Sequence, residues 1–230
     1  LYSMTKPVTG IAAMMLIDAG RMQLDQPLAD ILPAFRDMQV LRSANGPLDQ
    51  TDPARTPITI RHLLTHTAGL GYTIVQSGPI KAAYEQAGIV PALISKMHVP
   101  GLTDGTPAPS LTAFADRLAR LPLVYQPGSR WSYSVGLDLM GRVIEVVSGQ
   151  SFGNFIKNRI LDPLGMANTG FQVSSAQSAH FATNYAPFMG VMLPVDPGPA
   201  SIFRDPPPFA FGGAGLVGTA RDYDRFLWML

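Results

Sequence analysis

The chain has 230 residues, 47% of them hydrophobic and 14% charged, enough to bury a sizeable core in one large domain or two intimate subdomains. Basic residues number 17 against 16 acidic, with no run of like charge, which leaves no footprint for nucleic acid or a polybasic membrane surface and points to a small or neutral partner. The lack of cysteine excludes disulfides and thiolate catalysis, and it fits a reducing or an oxidising compartment equally, so localisation stays open between cytoplasm and periplasm.

Helix signals dominate in chain order. P-V-T-G-I-A-A-M-M-L-I-D-A-G, from Pro7, predicts a helix that ends at Gly20 and is buried on most sides. Asp18 interrupts its apolar run after eight residues, well short of the roughly 18 to 20 of a membrane span. Thr59 caps a second helix that stops before Gly69, and Ser110 or Thr112 caps a third that Pro122 ends. Two more follow back to back over 134–149 and 151–163, and a sixth closes the chain with Thr219 and Asp222 spaced as a capping box. Strands are scarce. F-A-F-G-G-A-G-L-V-G, from Phe209, is the best candidate, and its four glycines predict backbone passing close to another element, or a turn into the last helix, rather than a regular ladder. Loops rich in turn residues are expected at 42–58, 98–109 and 186–208, an abundance that leans towards a pocket rimmed by loops.

S-M-T-K places Ser3 three residues before Lys6 at the start of the first helix, on one face. A Ser-x-x-Lys match arises about once by chance in a chain of this size, but of the four lysines Lys6 alone has a Ser at that spacing. An ordinary helix start with a lysine reaching to solvent stays as the alternative. A nucleophilic reading would use the position well: a helix N-terminus offers N–H groups beside a developing oxyanion, and a desolvated lysine can take the serine proton. To be largely neutral near pH 7 such a lysine needs a downward shift of about 3 units, roughly 4 kcal/mol, so a third residue is called for. Pro7 disfavours helical dihedrals at Lys6 and gives the Ser3 carbonyl no donor, which confines the pair to the helix mouth, with Ser3 at the N-cap or first position. The third residue is expected from Q-P-G-S-R-W-S-Y-S-V-G, where Tyr133 lies between a Pro127-Gly128 turn and a helix start; a buried tyrosine with a satisfied hydroxyl is the competing view.

Other motifs carry less. His62 and His66 have the spacing of a helical zinc pair, but Leu63 stands where such a site needs Glu, so packing or capping is expected of them and no metal or cofactor. S-Y-S-V-G puts Ser132 in the first glycine position of a G-x-S-x-G elbow and has no strand before it. G-G-A-G-L-V-G lacks the spacing and the βαβ context of a dinucleotide loop.

Taken together, S-M-T-K-P-V-T-G and the downstream Y-S-V resemble the Ser-x-x-Lys and Tyr-x-Asn motifs of class C serine β-lactamases and penicillin-binding proteins, and more closely the family VIII carboxylesterases. I-T-I-R-H-L-L-T-H-T-A-G-L, P-L-G-M-A-N-T-G-F and G-G-A-G-L-V-G-T-A-R-D-Y-D-R-F resemble stretches of that family in the same order, so the likeness covers nearly the whole chain. It implies a catalytic Ser3, a Lys6 that assists proton removal and a Tyr133 that exchanges protons with nucleophile and leaving group, with the choice of acylation base between the last two left open. Val135 departs from the lactamase pattern, which has Asn there, and the family's third motif is not found before Leu230.

The implied fold is α/β (α+β) of the β-lactamase/transpeptidase-like type: residues 1–230 form a partial catalytic domain whose helical subdomain packs on an antiparallel sheet, with the flanking strands expected outside them. The expected activity is that of a serine carboxylesterase acting on short-chain, small-molecule esters through an acyl-enzyme. A β-lactamase, a D-Ala-D-Ala carboxypeptidase or an acyltransferase of the same fold are the alternatives, and a non-catalytic penicillin-recognising protein is the alternative of another class. Oligomeric state is not indicated.

Overall fold

The computed structural model describes residues 1–90, 92–99 and 103–230. Helix α1 (Thr5–Asp18) has only Pro7, Met14 and Asp18 exposed, as its continuous apolar pattern requires. It ends where expected: Gly20 takes φ +66°, its N–H donates to Ile17 O and that of Arg21 to Leu16 O, the paired bonds of a Schellman terminus. The short α2 (Ile60–Leu64) stops earlier than the sequence suggests, because His66 adopts φ +56° and the Thr67 N–H turns back to His62 O. Helix α3 (Gly78–Gln86) is not anticipated; its Gly78-Pro79 start reads as a turn, yet Pro suits a first helical turn. Then come α4 (Leu111–Leu118), capped by Ser110, α5 (Gly136–Ser148), α6 (Phe152–Ile156), which widens into a π-turn over Lys157–Leu161, and α7 (Ala220–Met229). At α7 only half of the capping box forms: Thr219 accepts from the Asp222 N–H at 3.1 Å, while the Asp222 carboxylate accepts from the Asn168 N–H at 2.7 Å and the Thr169 hydroxyl at 3.1 Å.

Helix α5 is the hub. It packs against α1, α2, α4 and α6, and its buried Leu137, Leu139, Met140, Val143 and Ile144 join the main core. None of the described helices is long and apolar enough to cross a membrane.

Strands among the described residues form two antiparallel pairs. β1 (Gln39–Leu41) pairs with β2 (Thr51–Pro53), Gln39 opposite Pro53; β2 falls inside the expected 42–58 loop region and β1 lies just before it. β3 (Asn184–Phe188) pairs with β4 (Val191–Asp196), so the first half of the expected 186–208 loop is a hairpin. Pro187 and Pro194 hide it from a strand pattern, and left-handed Met189 and Gly190 make its two-residue turn. Of the expected 98–109 loop, residues 100–102 lie outside the described residues. As its four glycines predict, the segment 209–218 forms no regular ladder: apart from an isolated bridge between Gly170 and Val217, it runs as turns pressed against α1 and α5. Gly212 O, the Gly213 N–H and carbonyl and the Leu216 N–H are bonded to side chains of those helices, so no ladder forms there.

Candidate active site

Ser3 sits in a 3-10 turn (Tyr2–Met4) that runs directly into α1, with Met4 as the N-cap. It therefore stands one residue further out than the N-cap position expected for it, and Lys6 and Pro7 fall in the first turn of α1. Tyr2, just before Ser3, takes φ +46°, an uncommon conformation for a residue with a Cβ and of the sort that aims a neighbour at a site.

Tyr133 reaches the same point from across the chain. The segment 123–135 is laid along 66–71 by backbone bonds from Val124 N–H to Gly69 O (2.7 Å), Gly128 N–H to Thr67 O (2.8 Å), Ser132 N–H to His66 O (2.9 Å) and Val135 N–H to Gly71 O (3.2 Å). Gly69 permits this: its φ is +80°, and a Cβ there would lie 1.9 Å from Tyr125 O. The outcome is a hydrogen bond of 2.6 Å between Ser3 Oγ and the Tyr133 hydroxyl, and one of 3.2 Å from Lys6 Nζ to Ser3 Oγ. Lys6 Nζ also lies 4.6 Å from the centroid of the Tyr133 ring. Ser3 is exposed, whereas Lys6 and Tyr133 are half-buried.

Lys6 is held by more than Ser3. Its Nζ donates to Gly213 O at 2.7 Å, in the glycine-rich segment that follows Phe211. Thr9 donates to Gly212 O at 2.7 Å, and Thr5 accepts from the Leu216 N–H at 3.0 Å, so one face of α1 binds this segment at three points. From the other side the Asp138 carboxylate, in the first turn of α5, accepts from the Gly213 N–H at 2.8 Å. A Cβ on Gly213 would lie 2.5 Å from Asp138 Oδ2, which explains the glycine.

Aromatic rings surround the tyrosine. Tyr72 meets Tyr133 edge to face at 5.2 Å, Trp131 stacks beside it at 6.3 Å, and His66 lies 4.8 Å away. His66 Nδ1 accepts from the Ser134 N–H at 3.2 Å and lies 3.1 Å from Ser134 Oγ, so the neutral ring carries its proton on Nε2. Burial, with the Lys6 charge adding to it, pushes His66 down to about 4. Burial pushes Asp138 up to about 7 against the opposing pull of the Gly213 N–H and Lys6, and raises Tyr72 with help from the Asp138 charge.

Histidines 62 and 66 have separate tasks. His62 Nδ1 accepts from the Thr59 N–H at 3.2 Å while Thr59 accepts from the His62 N–H, a capping box with histidine in the acidic position. Among the described residues no group of three or more His, Asp or Glu could hold a metal ion. Val135 is fully buried in the main core, so it offers the site neither a carboxamide nor an apolar wall. Sequence patterns do not single out Tyr72, Asp138 or the site role of His66. A lone acid five residues after Tyr133, in a helix otherwise apolar on its buried face, is the signal that could have found Asp138.

The exposed Ser3 Oγ thus lies within hydrogen-bond reach of both the lysine three residues on and the distant tyrosine. The Beta-lactamase family model matches residues 1–230, and the chain belongs to that family. Protein Rv1367c of Mycobacterium tuberculosis is 41% identical over 231 residues, 100% of this chain and 53% of that protein. Esterase EstB of Burkholderia gladioli is 33% identical over 243 residues, 99% of this chain and 55% of the esterase. The solved structure of EstCE1, described as a hydrolase with promiscuous acyltransferase activity, superposes with a TM-score of 0.74 at 29% identity, over 98% of this chain and 56% of that one. The fold is thus of the β-lactamase/transpeptidase-like class. The chain spans about half the length of the curated relatives it matches.

Proposed function

We propose that this chain carries the nucleophilic centre of a serine hydrolase that cleaves short-chain carboxylic esters through an acyl-enzyme on Ser3. The observation that carries the reading is the simultaneous approach of the Tyr133 hydroxyl (2.6 Å) and Lys6 Nζ (3.2 Å) to an exposed Ser3 Oγ. An unassisted serine hydroxyl is a poor nucleophile, and two proton-carrying groups on one oxygen supply what it lacks. Ser3 Oγ forms the bond to the acyl carbon while its proton leaves along the network of Tyr133 and Lys6. The same network returns a proton to the departing alkoxide. Water then repeats the attack on the acyl-enzyme and releases the acid. The Ser3 N–H serves as one oxyanion donor, and the second is assigned to a strand outside residues 1–230, within the flanks that complete the domain in this reading.

The esterase relative EstB supports ester over lactam. An acyltransferase differs only in the second step, where an alcohol replaces water, and the description of EstCE1 favours testing for it.

Ser134 is the rival nucleophile, since it pairs with His66 at 3.1 Å, but it is 1% exposed against the open Ser3. Treating the full-length protein with a fluorophosphonate and mapping the adduct by peptide mass is the deciding experiment. The adduct is expected on Ser3 alone, and an adduct on Ser134 with Ser3 untouched would overturn the proposal. On protein whose active serine takes the label, p-nitrophenyl butyrate is expected to exceed nitrocefin in kcat/KM, and the reverse order would replace the esterase with a lactamase.

A further inference from the structure

Asp138 is fully buried, yet only one of its carboxylate oxygens is used: Oδ1 accepts from the Gly213 N–H at 2.8 Å, while Oδ2 has no hydrogen-bond partner among the described residues. A buried carboxylate with an idle oxygen costs stability, and α5 does not use it as a cap, since the N-cap is Val135 and no side chain caps the helix. What the residue touches gives it a use. The peptide joining Gly212 to Gly213 is fixed at both ends, its carbonyl accepting from the Thr9 hydroxyl at 2.7 Å and its N–H donating to Asp138. The next carbonyl, Gly213 O, is then aimed at Lys6 Nζ, which it holds at 2.7 Å while Nζ reaches Ser3 Oγ at 3.2 Å. Neither position has room for a side chain, because a Cβ on Gly212 would lie 2.3 Å from Leu137 O and one on Gly213 2.5 Å from Asp138 Oδ2.

We propose that Asp138 is a positioning residue of the nucleophilic centre, which by holding the Gly213 peptide sets the direction in which Lys6 points at Ser3. The inference rests on the function proposed above. Asp138 touches no reacting atom; it acts through one peptide unit on Lys6, at the helix face where α1, α5 and the glycine segment meet. The ionisable groups around this junction are Lys6 and Tyr133 at the serine and Tyr72 packed against Tyr133; the Lys6 charge acts on Asp138, and the charge on Asp138 acts on Tyr72.

The test uses Asp138→Ala and Asp138→Asn in the full-length protein. Readouts are the rate of fluorophosphonate labelling at Ser3, ester kcat and KM, and the pH dependence of labelling. Asp138→Ala removes the acceptor and should lower labelling and kcat about 10- to 100-fold with KM little changed, the scale on which a misplaced catalytic group slows a reaction. Asp138→Asn keeps an oxygen for the Gly213 N–H and should restore the rate to within about threefold, while removing an inflection near pH 7 that the wild-type carboxyl contributes. Wild-type labelling speed in a folded Asp138→Ala overturns the inference, and so does an Asp138→Asn as slow as the alanine variant. Should Asp138→Ala fail to fold, Asp138→Asn decides alone, and labelling and kcat lowered more than about tenfold in the folded Asp138→Asn overturn the inference. A wild-type protein that takes no label on Ser3 sinks the proposed function itself, a result distinct from a labelled wild type with an unaffected alanine variant.

Discussion

Lys6 and Tyr133 meet the same oxygen but are held there by different physics. Lys6 is clamped: Gly213 O fixes its amine, and the Gly213 peptide is in turn bonded to buried Asp138 and Thr9. Such directional bonds, shielded from water, set a position to within a few tenths of an ångström but depend on every member being present. Tyr133 is supported mainly by ring contacts with Tyr72, His66 and Trp131 and by the backbone bonds that lay 123–135 along 66–71. Ring packing is less directional and is spread over many atoms, so losing one neighbour costs little. The lysine side is the brittle half of the site and the tyrosine side the tolerant half.

The largest expected effects come from the two groups themselves. Lys6→Ala should lower ester kcat by about 10³- to 10⁴-fold and Tyr133→Phe by about 10²- to 10³-fold, the phenylalanine ring preserving the aromatic packing. Steady-state kinetics with fluorophosphonate titration of active sites would measure both, and a Tyr133→Phe more damaged than Lys6→Ala would invert the contrast. Gly213→Ala should come next. Its methyl group meets the Asp138 carboxylate, and overpacking of this kind costs about 1 to 3 kcal/mol in thermal or denaturant unfolding, with Ser3 labelling lost in the variant that remains folded.

The pH dependence of stability should separate the two sides by sign. Asp138 has its folded pKa raised from 3.8 to about 7, so its carboxyl costs nothing below pH 3.8 and a growing amount as pH rises to about 7, on the order of 4 kcal/mol at the plateau. Asp138→Asn should therefore gain stability over the wild type across that window and hold the gain above it. His66 is depressed from 6.5 to about 4, so its neutral form supports the fold above pH 6.5 and that support is lost as pH falls towards 4. His66→Asn, which tolerates the left-handed backbone at φ +56°, should flatten that part of the melting-temperature profile. Profiles of Tm against pH that move in the same direction for both variants would contradict these assignments. Smallest of all, Trp131→Ala removes a ring that is 63% exposed, and it should change Tm by no more than the equivalent of about 0.5 kcal/mol and kcat by less than tenfold. A larger loss would show that the tolerant half depends on that one stack.

Much of the architecture is legible in local sequence patterns. The apolar run of α1 and its Gly20 terminus, the caps at Thr59, Ser110 and Thr219, and the serine–lysine pair at the helix mouth are of this kind, because residues a few positions apart decide the geometry. The glycines of 209–218 point correctly to close backbone approach rather than a ladder, because the bonding partners lie on α1 and α5 and not on a neighbouring strand. The β3–β4 hairpin is not legible, since Pro187 and Pro194 spoil the alternation that marks a strand.

By itself, then, the sequence determined most of the helices but not α3 or the early end of α2, the spacing of Ser3 and Lys6, and through the resemblance the expectation that Tyr133 joins them. Only the tertiary structure decided what supports them. Asp138 and Gly213 are 75 residues apart, and Gly213 is 207 residues from Lys6. No periodicity or cap signal spans such distances, because the bonds exist only after α1 and α5 have buried their apolar faces and brought the glycine segment between them. The same holds for Val135, whose place in the core rather than in the site follows from the packing of α5 and not from its position two residues after Tyr133.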